Sequence, residues 1–294
     1  MKVLLCVGEG MGNCVQVLPL VNVLKFNGID VDIYNLSNCS NETISWIFKE
    51  YAEVVETYKK GLYDGRIELA TTKGVLRNSE RLETSLINDI QKQFIYSPYT
   101  NEVEVYLSIA TDLGLSLPKD LFNVKFPEVD ESEEFDFVVH NGCTLLNTSY
   151  WHRRKYPKMG ELIQTLEDKG YTVANIGAPE EYSGGTNKTG LPIQESASLI
   201  KNAKFFISND TGTFHIAAVL KQAGLVLFTA TSSVKSYHPT LHKTIKILTA
   251  GLDCQPCLYR DSWNKCNESS YNNWACRDIP IDNIIKEIKN ADIF

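Results

Sequence analysis

Five consecutive apolar residues, Val3 to Val7, run straight into a turn with glycine at positions 8, 10 and 12, and Val15, Leu18, Val21 and Leu24 then follow at helical spacing. A strand that is apolar on both faces belongs in a parallel sheet covered by helices on either side. After Asn27-Gly28, a second apolar run over residues 31–34 completes a βαβ unit, whose crossover is right-handed by default. Pro19 lies inside the helical stretch, so the helix either starts near residue 18 or kinks there.

The same alternation returns in the second half. Strands are expected over residues 135–140, 171–176, 204–208 and 225–229, with helices over 158–169, 194–202 and 213–221 between them. Between the two series, residues 40–58 and 102–113 read as helices and residues 67–70 as a strand. Residues 125–134 hold Pro127 and five acids without apolar periodicity, and read as a linker. The expected organisation is α/β with two doubly wound parallel-sheet domains, 1–130 and 131–278, facing a cleft. A final helix, 279–294, carries Ile281, Ile284, Ile285 and Ile288 on one face and is free to pack back on the first domain. A length of 294 residues suits two such domains.

Charge narrows the partners. The net charge is −7, and the first 130 residues hold 12 Lys+Arg against 18 Asp+Glu, the reverse of a nucleic-acid binder's basic surplus. No apolar run approaches the ~18 residues of a membrane span. The apolar start is too short for a signal peptide, so a reducing, cytoplasmic setting is expected.

Four segments could carry chemistry. The first is Asn209-Asp210-Thr211-Gly212-Thr213-Phe214-His215, between an expected strand and helix. In a doubly wound sheet this is the carboxyl edge, where ligands bind. Asp210 can cap the helix, and the free N–H groups behind it suit a phosphate. Thr211 and His215, four apart, can face one ligand. An ordinary capped helix with a surface histidine is the plainer alternative. The second is the glycine turn, Gly8, Gly10 and Gly12, which brings Glu9 and Asn13 to the edge of the first sheet. It lacks the G-x-G-x-x-G of dinucleotide binders, which disfavours an oxidoreductase or epimerase. The third is Arg153-Arg154-Lys155, three cations suited to a diphosphate or to solvent. The fourth is Cys254, Cys257, Cys266 and Cys276. Their spacing leaves open a structural zinc, reduced thiols or labile disulfides.

In this order the segments resemble glycosyltransferase family 9, the heptosyltransferase-like enzymes of GT-B fold. Gly12-Asn13 with Pro19 resembles that family's opening Gly-Asp…Pro helix. Lys155-Tyr156-Pro157 resembles its Lys-x-Pro, and Gly177-Ala178-Pro179-Glu180-Glu181 its Gly-x-x-x-Glu turn. Asn209 to Ala218 resembles its Asn-Asp-Ser/Thr-Gly-x-x-His signature. The resemblance implies transfer of a sugar, with inversion, from a nucleotide-diphosphate sugar to a glycan or lipid-linked acceptor. Lys155, Thr211 and Gly212 would hold the diphosphate, Glu181 or Glu180 the nucleoside, and Asp210 and His215 the donor site. No cofactor would be needed for catalysis, and membrane contact would at most be peripheral. The family's catalytic Asp is replaced by Asn13, and an amide cannot take a proton at neutral pH. Glu9 is the nearest substitute in sequence. A weak or inactive relative that only binds is the alternative.

Overall fold

A computed structural model describes residues 1–57, 59, 61–69, 90–91, 100–143, 151–256 and 275–291. The chain separates into two compact units, Met1–Glu128 and Val129–Phe294, within the acidic stretch 125–134.

The first unit begins with β1 (Lys2–Glu9), α1 (Met11–Gln16), α2 (Leu18–Phe26) and β2 (Asp30–Ser37). As Pro19 suggested, a helix starts at Leu18, with the break from α1 at Val17, because proline has no N–H for the helical ladder and suits a first turn. The next helix, α3 (Asn41–Phe48), is shorter than the sequence suggests. Ser40 caps it by accepting the Thr43 N–H, and the chain then extends as β3 (Glu53–Val55). The paired valines 54 and 55 suit the edge of a sheet better than a last helical turn. β4 (Gly65–Leu69), β5 (Ile90–Gln91) and α4 (Glu102–Asp112) complete the described elements of this unit. The side chain of Asn101 caps α4 by accepting the N–H groups of Val103 and Glu104.

The second unit contains β6 (Phe137–His140), α5 (Met159–Glu167), β7 (Val173–Gly177), β8 (Thr186–Thr189), α6 (Ile193–Asn202), β9 (Phe205–Asn209), α7 (Gly212–Val219), β10 (Gly224–Phe228), α8 (Ser233–Ser236), β11 (Ile245–Thr249) and α9 (Ile281–Lys289). β8 went unread because Thr186-Asn187-Lys188-Thr189 has no apolar alternation. Pairing with β7 at the sheet edge makes it a strand.

Every pairing in both sheets is parallel, and the two share one plan. The orders are β3-β2-β1-β4-β5 and β11-β10-β9-β6-β7-β8. Each sheet starts in the middle, winds one way, then returns and winds the other. The reversal falls between β1 and β4 in the first and between β6 and β9 in the second. Ligands of such sheets bind at this switch point, beyond the carboxyl ends of the strands. Both are Rossmann-like doubly wound units. In the C-terminal helix, Ile284 and Ile288 lie in the second unit's own core, with Phe137, Tyr156, Leu162 and Leu225. Among the described residues no helix is long and apolar enough to cross a membrane.

Candidate active site

The switch point of the second sheet is built by tying its loops together. Asn209, the last residue of β9, donates its side-chain N–H to the Gly142 carbonyl at 2.6 Å. Asn141, just past β6, clamps the backbone of Tyr156. It donates to the carbonyl at 3.0 Å and accepts the N–H at 2.9 Å. Tyr156 is itself buried, its hydroxyl donating to the Ile279 carbonyl at 2.7 Å. Lys155 is thereby fixed at the same edge, where its carbonyl accepts from Arg277 Nε at 3.1 Å. Thr229, past β10, donates to the Arg153 carbonyl at 2.6 Å.

At the centre sit His140 and Glu181, both buried. His140 Nδ1 lies 3.0 Å from Thr211 Oγ1 and 2.9 Å from Thr213 Oγ1. Its Nε2 lies 3.4 Å from Glu181 Oε2. Glu181 also accepts backbone N–H groups from Cys143 at 2.8 Å and Ala178 at 2.9 Å. Burial opposes ionisation of this carboxyl. The hydrogen bond and charge of His140, with the two backbone donors, outweigh it and hold the pKa at about 2. A Cβ on Gly142 or Gly177 would overlap the His140 and Glu181 side chains, so glycine at both positions makes room for the pair. Of the two expected acids, Glu181 is inside the site and Glu180 is exposed. Among the described residues, Cys143, Ala178 and His140 each contact the Glu181 carboxylate. His140 went unremarked in the sequence, where it is only the last residue of a strand.

The start of α7 differs from the expected capped helix. The N-cap is Thr211, not Asp210, and the Thr211 side chain makes no capping hydrogen bond. The Thr211 hydroxyl is turned instead to His140 and to Thr213 Oγ1 at 2.9 Å. The Gly212 and Thr213 N–H groups lie at the positive end of the helix, while the Phe214 N–H bonds the Thr211 carbonyl. Asp210 is buried, and its carbonyl accepts from Arg154 Nη1 at 3.4 Å.

Thr211 and His215 bond in different directions. His215 is buried, with Nδ1 2.8 Å from Nε2 of His242. The His238 N–H points at His242 Nδ1 from 2.9 Å, so that nitrogen accepts; a proton there would set two donors face to face. The His238 carbonyl, 3.1 Å away, already takes the N–H of His242. The His242 proton therefore sits on Nε2 and is donated to His215 Nδ1, which leaves the His215 proton on its own Nε2. Tyr237 stacks on the His242 ring and Phe214 lies tilted against it. Burial drives both imidazoles to the neutral form: His242 is pushed down to about 3, and His215, with His242, Lys235 and Arg154 nearby, falls well below 6.5. His215 is thus a neutral donor beside two cations, Arg154 and Lys235. His242, 27 residues downstream, carries no sequence signal for this role.

The glycine turn at the first switch point is tighter than expected. Gly8 and Glu9 continue β1, paired with Leu36 and Ser37. Gly10 is the N-cap of α1, and Gly12 and Asn13 are already helical. Asn13 Nδ2 donates to Glu102 Oε1 and to Tyr106 Oη, each at 3.2 Å. Neither partner stood out in the sequence.

Cys257 and Cys266 lie outside the described residues. Cys254 is half-buried and Cys276 buried. Among the described residues no group of three or more His, Cys, Asp or Glu side chains is arranged to hold a metal.

The model of the family described as "Glycosyltransferase family 9 (heptosyltransferase)" matches residues 70–267. Among solved structures, the chain is similar to the iron-containing dodecameric glycosyltransferase TibC from enterotoxigenic E. coli. The TM-score is 0.70 at 13% identity, over 99% of this chain and 76% of TibC. A family 9 glycosyltransferase from Veillonella parvula gives 0.68 at 12% identity, over 99% and 96% of the two chains. E. coli heptosyltransferase WaaC, solved with ADP and with an ADP-2-deoxy-2-fluoro heptose, gives 0.60 at 17% identity in the ADP complex, over 99% and 100%. At such identities the likeness is one of fold. No curated protein matches the chain.

Proposed function

The chain belongs to glycosyltransferase family 9, and from that premise we propose that it moves a sugar, with inversion, from a nucleotide-diphosphate sugar to a hydroxyl of a glycan or lipid-linked glycan. The observation that carries this reading is the β9–α7 junction. A helix start whose N-cap side chain turns away to His140, at the switch point of a parallel sheet and beside Arg154, is suited to a diphosphate. As the sugar departs, negative charge grows on the diphosphate. The helix N-terminus, Arg154, Lys155 and the Nε2–H of His215 are the groups that would meet it. That work needs no divalent cation.

The buried, ionised carboxylate of Glu181 suits a nucleoside hydroxyl, with Glu180 outside it. Thr211, Gly212 and Asp210 line the donor site, and the first unit binds the acceptor. The ligands of the fold relatives make an ADP-heptose donor the first to try. The enzyme would act in the cytoplasm, touching a membrane only peripherally. Asn13 favours a second reading, a chain that binds the donor and does not turn it over.

A panel of ADP, UDP, GDP and ADP-heptose, read by thermal shift and calorimetry, tests both readings. A ligand at a hundredfold excess over its Kd adds about 2.7 kcal/mol of stability. If no nucleoside diphosphate shifts the melting temperature, the donor site is misassigned. Binding without release of ADP from ADP-heptose selects the second reading.

A further inference from the structure

Where the opening turn is expected to carry an acid, the structure brings one from a different element. Glu102 is the first residue of α4 and is 6% exposed; its Oε1 lies 3.2 Å from Asn13 Nδ2. Tyr106, one turn further along the same helix face, brings its hydroxyl oxygen to 3.2 Å from the same nitrogen. Both hydrogens of the amide are thus used, one on each oxygen. The amide can face only this way, because its own oxygen against a carboxylate would set two acceptors together.

We propose that Glu102 is the catalytic base of the transfer. The carboxylate has moved from the α1 turn to α4, and the amide at position 13 now holds it in place. Asn and Asp have the same shape, so Asn13 Nδ2 marks the point an aspartate oxygen would occupy. Glu102 Oε1 is one hydrogen bond from that point, which puts an acceptor hydroxyl seated there within reach directly or through one water. The proposal rests on the transferase reading above. In the step, the acceptor hydroxyl oxygen forms a bond to the anomeric carbon and its proton passes to Glu102. The bond from that carbon to the diphosphate breaks, and its electron pair leaves with the nucleoside diphosphate. Glu9, the acid nearest in sequence, is the competing candidate.

The test compares wild type, Glu102→Gln, Asn13→Asp, the double variant Asn13→Asp/Glu102→Gln, and Glu9→Gln. Each is assayed for ADP release from ADP-heptose, with lipopolysaccharide core oligosaccharide as acceptor, and for ADP-heptose binding by calorimetry. Glu102→Gln should lower kcat by about 10²–10⁴-fold while the Kd for ADP-heptose stays near the wild-type value. The double variant restores a carboxylate at position 13 and should regain much of the loss. Asn13→Asp alone sets two carboxylates in contact, which cannot both ionise, so the acid limb of its kcat profile should move to higher pH. That shift keeps the proposal testable if Glu102→Gln does not fold. A purely structural Glu102 would lower the melting temperature and leave the acid limb unmoved. Near-normal kcat in Glu102→Gln with loss in Glu9→Gln would overturn the assignment, as would a wild type that binds ADP-heptose and never releases ADP. If none of the five proteins binds ADP-heptose, the donor reading of the second unit fails first, and the base falls with it.

Discussion

At the carboxyl edge of the second sheet, the loops after β6, β7, β9 and β10 are hydrogen-bonded to one another or to the segment 153–156. At the matching edge of the first sheet, Asn35 ties the loop after β2 to the start of α3, and one amide, Asn13, reaches two residues of α4. The same strand order therefore supports two kinds of site. A network of mutually fixed loops holds its donors in place before a ligand arrives, as charge stabilisation requires. A carboxylate delivered by a neighbouring helix is suited to a single proton transfer, and it can change position between relatives without disturbing the sheet.

The sharpest test of this contrast is a division of kinetic effects: Glu102→Gln acts on kcat, whereas changes around Glu181 act on stability and nucleotide affinity. Glu181→Ala leaves His140 buried without its carboxylate. It should cost about 3 kcal/mol in chemical denaturation and weaken ADP binding. Little loss of either would mean that the pair does not organise the second edge.

Gly142→Ala tests the room made for that pair. Its Cβ overlaps His140 and Glu181, and the expected cost is about 2 kcal/mol with weaker ADP binding. Unchanged binding would show that the loop after β6 yields easily.

The buried histidines give a pH signature that belongs to the second unit. An unfolded histidine takes up a proton near 6.5, whereas His242 in the fold stays neutral down to about 3. The unfolded chain therefore binds more protons in that window, and stability is full above about pH 6.5 and falls as pH drops towards 3. His242 contributes a slope of about 1.4 kcal/mol per pH unit. Urea titrations of wild type and His242→Gln at several pH values should show that slope shrink in the variant. An unchanged slope would remove the neutral-donor account of His215.

The smallest expected effect is a control in the first unit. Ser40→Ala removes the cap of α3 and should cost about 1 kcal/mol without altering kcat. A change in kcat would mean that α3 takes part in holding the Asn13–Glu102 pair.

The sequence alone determined whatever is spelled out within a few residues. Apolar runs, glycine turns and helical spacing marked the βαβ order of both units. The strand–Asp-Thr-Gly–helix junction and the Gly177–Glu181 turn located the second edge. Local spacing also set limits: it carried α3 through β3 and named Asp210 where Thr211 is the cap. Tertiary structure decided the rest. Glu102 lies 89 residues from Asn13, and His242 27 from His215. The C-terminal helix was equally free, by its apolar face, to cover either unit until Ile284 and Ile288 joined the core around Phe137. The physical reason is common to all three. Periodicity and capping are short-range and written along the chain, whereas a hydrogen bond between distant side chains exists only once strand order and helix packing have brought their elements together.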